Sequence, residues 1–456
     1  MHLVTSLQLS LSPHSPDVVA VTGGGGKSSL VFRLAREIIG RGQRAIITTT
    51  TRVSMRQVEH APAVVRVAGD QPPWQALGAA LDEHGFCLLV GDETLLNGKQ
   101  VGVPVALIDA LALHGERLDL AAILVEADGS RTLPVKAPAE HEPVVPASTT
   151  LLIPMIGLDA IGAPLDDTHT HRPERIRSIL NLPAADSLRL TPQMAAQLIT
   201  HPEGGAKHLP VGARLLPVLN KAEGAPRLAT ARLIASHLAE AGQPSLITAV
   251  GNDAGEPVYE RWAQVAAIIL AAGASSRMGR PKQIELVDGE PMVARALRLA
   301  FESGAHELIV VTGAHAASVL DALVGWRQVL GDRLRLVHNA DWSTGQASSL
   351  AVGVRAISLA AECAIFMPVD QPFVEPALLR RLVAAWRSGF DLAAPLVDDA
   401  LRGAPALFGR GEWPDLLAVR GDVGGRGVLV RQRARTAALP VAAATLRDVD
   451  TPADLE

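Results

Sequence analysis

Leu270-Ala-Ala-Gly273-Ala-Ser275-Ser-Arg277-Met-Gly279-Arg280-Pro281-Lys282 follows directly on the apolar run from Val265 to Leu270. An apolar run that ends in Ala-Ala-Gly and then turns polar predicts a buried strand opening into a loop, where backbone amides can face a phosphate without side chains in the way. Arg277 and Lys282 put two cations on that loop. Pro281 restricts the backbone beside Lys282, which favours a preformed cradle over a floppy basic tail.

LAAGASSRMGRPK resembles the signature loop of the molybdopterin-type nucleotidyltransferases, in the variant carried by the cytidylyl-transferring branch, and the resemblance covers roughly residues 264 to 456. It implies a Rossmann-like domain in which this loop wraps the triphosphate of the incoming nucleotide. Ala271, Ala272, Gly273, Ser275 and Gly279 would then bind the nucleotide, with Arg277 and Lys282 as catalytic cations. Guanylyl-transferring relatives carry glycine in place of the second alanine, so Ala272 implies CTP over GTP.

Working outward, Leu308 to Thr312 and Leu334 to His338 read as apolar strands separated by a helical stretch around Val319. This alternation predicts a mostly parallel sheet with helices on both faces, and ligands then bind outside the carboxyl ends of its strands. Asn339 to Leu350 leads into a helix, with Gly345 and Gln346 able to approach a base and ribose. Cys363 to Val369 reads as the central strand and ends in Asp370, where a lone carboxylate facing a triphosphate makes sense with magnesium between them. The resemblance assigns Asp370 and Asp450 as magnesium ligands, and places Arg426 on a pterin-side phosphate with Asp422 orienting it. Ala404 stands where family members often carry histidine. The implied reaction moves CMP from CTP to the molybdopterin form of molybdenum cofactor, releasing pyrophosphate; another nucleotide or another acceptor is the alternative.

In the first half, the β-branched run Pro16 to Thr22 meets Gly23-Gly24-Gly25-Gly26-Lys27-Ser28-Ser29, after which apolar residues recur at helical spacing until Gly40. Strand, glycine loop and helix form a P-loop-like setting: Gly24 and Gly26 free the backbone amides for phosphate oxygens, Lys27 reaches the terminal phosphates, and the Ser28 hydroxyl joins a magnesium shell. One departure is Val21, where the standard pattern has glycine. Arg44 to Thr51 reads as a strand with a threonine-rich exit, whose hydroxyls either meet metal or phosphate or are ordinary β-branched strand residues. Ala121 to Val125 reads as a buried strand ending in Glu126-Ala127-Asp128, with Asp128 the magnesium candidate. His169 and His171 form an HxH pair without an evident third ligand. Asn220-Lys221-Ala222-Glu223 resembles the Asn-Lys-x-Asp segment that reads guanine in many GTP-binding proteins, and equally suits a plain strand-ending turn.

GGGGKSS, ITTTT, VEADGS, KAPAEHEP and the later GLDAIG resemble the YqeC family, an accessory of selenium-dependent molybdenum hydroxylases, over about residues 10 to 250. That resemblance implies apo molybdenum hydroxylases as partners, and a nucleotide-driven maturation role as the alternative function for the whole chain. The chain of 456 residues is longer than one core usually supports. We expect two α/β domains, a nucleotide-binding one over 1–257 and a nucleotidyltransferase over 264–456, with the turn-rich stretch from Gly251 to Pro257 before the boundary.

A net charge of −5, no long basic run and 3% aromatic residues argue against nucleic acid as a partner. Cys87 and Cys363 lack metal-type spacing, no signal-type segment opens the chain, and no apolar run reaches spanning length. A reduced, cytoplasmic protein with no membrane partner is the expectation.

Overall fold

The computed structural model describes residues 1–95, 98–183, 187–252 and 255–455, so residues 253 and 254 of the turn-rich stretch lie outside the described residues. The first unit, Met1–Leu238 with Pro244–Trp262, is built on β1 (Asp17–Gly23), β2 (Arg44–Thr49), β3 (Val64–Val67), β4 (Phe86–Gly91), β5 (Leu120–Glu126), β6 (Leu151–Gly157), β7 (Val218–Asn220), β8 (Ser245–Thr248) and β9 (Val258–Trp262). These strands lie in the order β9-β8-β7-β6-β1-β5-β2-β4-β3, and neighbours run parallel except β8 with β9. Parallel neighbours need crossovers; α1 (Lys27–Ile39) and α2 (Ala225–Glu240) are two of the crossover helices.

Alternation along β1 sends Val19 and Val21 to one core with Leu30, Leu34 and Ile38 of α1, while Val18 joins the opposite core with Ile46 and Ile123. Because β1 lies between β5 and β6, the loop that follows it meets the loops at the ends of both neighbours. The chain leading into Asn220 pairs in two pieces: Pro217 cannot donate to a ladder, and Arg214–Leu215 and Val218–Asn220 pair separately with β6.

The second unit, Ala239–Gln243 with Ala263–Glu456, contains β10 (Gln264–Ala271), α3 (Met292–Glu302), β11 (Glu307–Thr312), β12 (Leu334–His338), α4 (Gln346–Ala356), β13 (Ala361–Pro368), α5 (Pro376–Arg387), β14 (Leu392–Val397), β15 (Ala400–Leu401), β16 (Ala406–Gly409), α6 (Arg426–Arg431) and β17 (Thr436–Pro440). The order is β12-β11-β10-β13-β16-β14-β15, with β17 beside β14. Strands β12 to β13 form a parallel core, and β16 runs antiparallel to both its neighbours, so the sheet is mixed. Along β10, Val265, Ala267, Ile269 and Ala271 face one core while Ala266 and Ile268 face the other. That two-sided burial is why the strand reads as a continuous apolar run.

The chain leaves β10 toward β11 on one side, whereas β13 pairs with β10 on the other. Connections departing in opposite directions open a crevice at the carboxyl ends of β10 and β13, which is where open α/β sheets hold ligands. Among the described residues, no helix is long and apolar enough to cross a membrane.

Candidate active site

The loop after β10 is held from beneath by a side chain that sequence reading passed over. Gln283 is fully buried. Its Nε2 donates to the carbonyls of Gly273 (2.7 Å) and Ala271 (3.3 Å), and its Oε1 accepts from Ser275 Oγ at 3.2 Å. Ser275 Oγ in turn accepts the Lys282 amide at 3.1 Å. Ser275 and Gly279 take positive φ values of 58° and 74°, so the loop doubles back on itself and brings Lys282 over the crevice. The signal for Gln283 was weak: a polar residue beside a conspicuous lysine.

Arg277, Lys282, Asp370 and Asp450 meet at the mouth of the crevice. Lys282 Nζ lies 2.5 Å from Asp370 Oδ2 and 3.2 Å from Asp450 Oδ1, and Arg277 Nη1 lies 2.7 Å from Asp450 Oδ2. Burial alone would push the Lys282 ammonium down, but Asp370 and Asp450 outweigh it and hold the group above its usual range. Asp448 sits behind them, and burial, with Asp370 and Asp450 nearby, raises its carboxyl. Two cations and two carboxylates thus compensate each other in a cleft of about 670 Å³ that Ala272, Gly273, Ser275, Gly345, Gln346 and Asp422 also line.

Ala271 has its methyl buried in the core, and its carbonyl accepts from Gln283. Ala272 faces the cleft but is only 4% exposed.

Gly345 precedes α4 at φ 118°, and a Cβ there would stand 2.5 Å from the Gly421 carbonyl carbon, so the position requires glycine. This approach puts Asp422 at the start of α4, with the Gln346 amide 3.4 Å from Asp422 Oδ1. Arg426, at the start of α6, lines an adjoining hollow of about 370 Å³ with Gly403, Ala404 and Asp448; Asp370 and Asp450 border both spaces. Arg402 and Arg447, which sequence reading did not single out, face Arg426 across a further 410 Å³.

In the first unit, Lys27 Nζ donates to the Gly23 carbonyl at 2.6 Å and faces Asp128 Oδ1 at 3.2 Å. Lys136 Nζ faces Asp128 Oδ2 at 3.1 Å, and the Gly23 amide donates to the same oxygen. Magnesium does not fit at Asp128: the carboxylate is buried between two ammoniums, and a divalent cation would have to displace both. Glu142 continues the network, accepting from Lys136 and Arg172, each at 2.7 Å. Ser28 Oγ accepts from Gln57 Nε2 at 2.7 Å, and the same nitrogen donates to Glu126 at 2.6 Å. Burial pushes the Glu126 carboxyl up. Gly24 packs against the backbone of Leu133 and Pro134, with no room for a side chain.

Thr48, Thr49 and Thr50 donate to the carbonyls of Leu89, Glu126 and Val144, tying this strand and its exit to the neighbouring segments. His169 pairs with Asp166, and His171 sits among Lys136, Arg172 and Arg131, charges that would repel a metal ion.

The chain matches two families, the YqeC protein over residues 19–174 and the MobA-like NTP transferase domain over residues 267–436. It is 35% identical over 206 residues to the YqeC protein of Escherichia coli (strain K12), covering 45% of this chain and 76% of that one. It is 32% identical over 178 residues to nicotine blue oxidoreductase of Paenarthrobacter nicotinovorans, covering 37% and 82%. Among solved structures it is similar to Rv0371c from Mycobacterium tuberculosis H37Rv at 29% identity and TM-score 0.37, over 42% of this chain and 95% of that chain.

Proposed function

The chain belongs to the YqeC family in its first half and to the MobA-like NTP transferase family in its second, and from that premise we propose that the second unit transfers CMP from CTP to a molybdopterin-type acceptor. The observation that carries this reading is the meeting of Arg277, Lys282, Asp370 and Asp450 in one cleft at the switch point of the sheet.

A terminal phosphate oxygen of the acceptor attacks the α-phosphorus in line. The new P–O bond forms as the bond to the β-phosphate oxygen breaks, and pyrophosphate leaves with its electron pair. Gly273, Ser275 and Gly279 shape the loop around the triphosphate. Arg277 and Lys282 exchange their aspartate partners for phosphate oxygens and hold the leaving pyrophosphate. Gly345 and Gln346 face the nucleoside, and Asp422 fixes the start of α4. Arg426, with Arg402 and Arg447 beside it, receives the acceptor's phosphate.

Magnesium fits the second unit, because Asp370 and Asp450 offer hard oxygen donors that are only partly buried, and such an ion takes one or two carboxylates plus phosphate oxygens. Bound there, it would neutralise charge on the triphosphate.

In the first unit, Gly24, Gly26, Lys27 and Ser28 form a phosphate-binding loop of P-loop type. Its supporting feature is the glycine loop leading into α1, with Lys27 held over it by Asp128. Apo molybdenum hydroxylases are the partners to which the YqeC-like half would be directed, within the cytoplasm.

Pyrophosphate release from each of the four nucleoside triphosphates, with and without Mo-molybdopterin, tests the proposal. Acceptor-dependent release with CTP is expected. No pyrophosphate from any of the four triphosphates, with or without the acceptor, would overturn the proposal.

A further inference from the structure

Asn220, at the end of β7, is bonded to the first glycine loop. Its Nδ2 donates to the Gly25 carbonyl at 2.7 Å, and its Oδ1 accepts from Thr248 Oγ1 and the Val250 amide, each at 3.0 Å. The side chain is 2% exposed, so its work is to join three loops. The approach is close: a Cβ on Gly26 would stand 2.5 Å from Asn220 Nδ2. Whatever the glycine loop holds, the segment Lys221-Ala222-Glu223 is therefore fixed relative to it.

Lys221 and Glu223 of that segment line a hollow of about 350 Å³ together with Gly25, Gly26, Ser29 and Arg227. The Lys221 ammonium is paired with Asp159 at 2.6 Å. Arg227 is the cation paired with the Glu223 carboxylate, and it stands 3.9 Å off with both side chains part-exposed. A loosely paired carboxylate at the rim of a hollow that opens from a phosphate-type loop is an acceptor-only group with lone pairs to offer.

A carboxylate is satisfied best by two parallel N–H donors on one edge of its partner. Guanine presents two adjacent donors, N1–H and the 2-amino group. Adenine and cytosine each set one donor beside a ring-nitrogen lone pair that would face the carboxylate and repel it. Uracil offers a single N–H between two carbonyl oxygens.

The geometry points to a guanine-nucleotide site in the first unit, with the phosphates on the Gly24–Ser28 loop and the base edge on Glu223. This rests on the phosphate-loop reading proposed above. It assigns the plain-turn alternative for residues 220–223 a ligand and gives the YqeC-like half a nucleotide distinct from the CTP of the other half.

Calorimetric titration of the full-length chain with GDP and with ADP tests it, and Lys27→Ala identifies which binding belongs to this loop. GDP should bind at least about tenfold more tightly than ADP, the difference expected of a charge-assisted donor pair in a part-exposed hollow. Glu223→Ala should bring GDP down to the affinity of ADP. Glu223→Gln should turn the preference toward xanthosine diphosphate, because the amide nitrogen can donate to the 2-carbonyl while its oxygen still accepts from N1–H. A gained preference is a result that misfolding does not produce. Equal affinities for GDP and ADP, both lost in Lys27→Ala, would overturn the base assignment and leave the phosphate loop standing. No binding sensitive to Lys27 would overturn both, and a GDP preference that survives Glu223→Ala would remove Glu223 from the site.

Discussion

At the scale of single residues, Asp370 and Glu142 carry opposite kinds of work. Asp370 shares Lys282 with Asp450, so Asp370→Asn leaves the lysine one carboxylate and the fold intact. We expect an unfolding midpoint near wild type and a loss of transfer of at least about a hundredfold at saturating magnesium. Turnover close to wild type would remove Asp370 from the chemistry. Glu142 is structural: burial pushes its carboxyl up, but the hydrogen bonds from Arg172 and Lys136 win and bring it down to about 2 from an ordinary 4.5. Its contribution to stability is complete above pH 4.5 and is lost as the pH falls through about 2. Glu142→Gln should therefore lower stability at pH 7 and lose less between pH 4.5 and 2 than the wild type does; calorimetric scans showing identical acid limbs would contradict the role.

At the scale of elements, strands that are buried on both faces were legible because nothing polar interrupts them. The run at Val265–Leu270 became Gln264–Ala271, and the one at Ala121–Val125 became Leu120–Glu126. The period of two along β10 also carried information left unused: Ala271 shares a face with Val265, Ala267 and Ile269, which places its methyl in the core. The supports of the loops were not legible. Gln283, Gln57 and Lys136 are polar residues whose partners lie elsewhere in sequence, and only the folded backbone brings the Gly273 carbonyl, the Ser28 hydroxyl or the Asp128 carboxylate to them. Gln283→Ala tests this support. The buried Ala271 carbonyl and the part-buried Gly273 carbonyl would lose this donor, at a cost of about 1 to 3 kcal/mol in stability. The loosened loop should lower kcat/KM for the nucleotide by roughly tenfold or more, since misplacement of about 1 Å can be that costly. An unchanged kcat/KM would mean that the backbone alone sets the loop.

At the scale of the whole molecule, the two units solve one problem in different ways. Each places a glycine-bearing loop after a central parallel strand with an acidic strand end next to it. In the first unit the carboxylate at that end is locked between Lys27 and Lys136, while in the second Asp370 faces an open cleft. Motif order read both loops but could not foresee this difference, because it depends on Lys136, which reaches Asp128 from a proline-rich loop. Ala272 borders the open cleft at 4% exposure, and crowding of a two-ring base by one methyl would be worth roughly 1 to 3 kcal/mol. The most direct measurement is kcat/KM for CTP and for GTP with the same Mo-molybdopterin acceptor, read as pyrophosphate formed. A CTP value at least about tenfold above that for GTP is expected; equal values would contradict the cytidylyl assignment, and no acceptor-dependent pyrophosphate with either nucleotide would contradict the transferase itself.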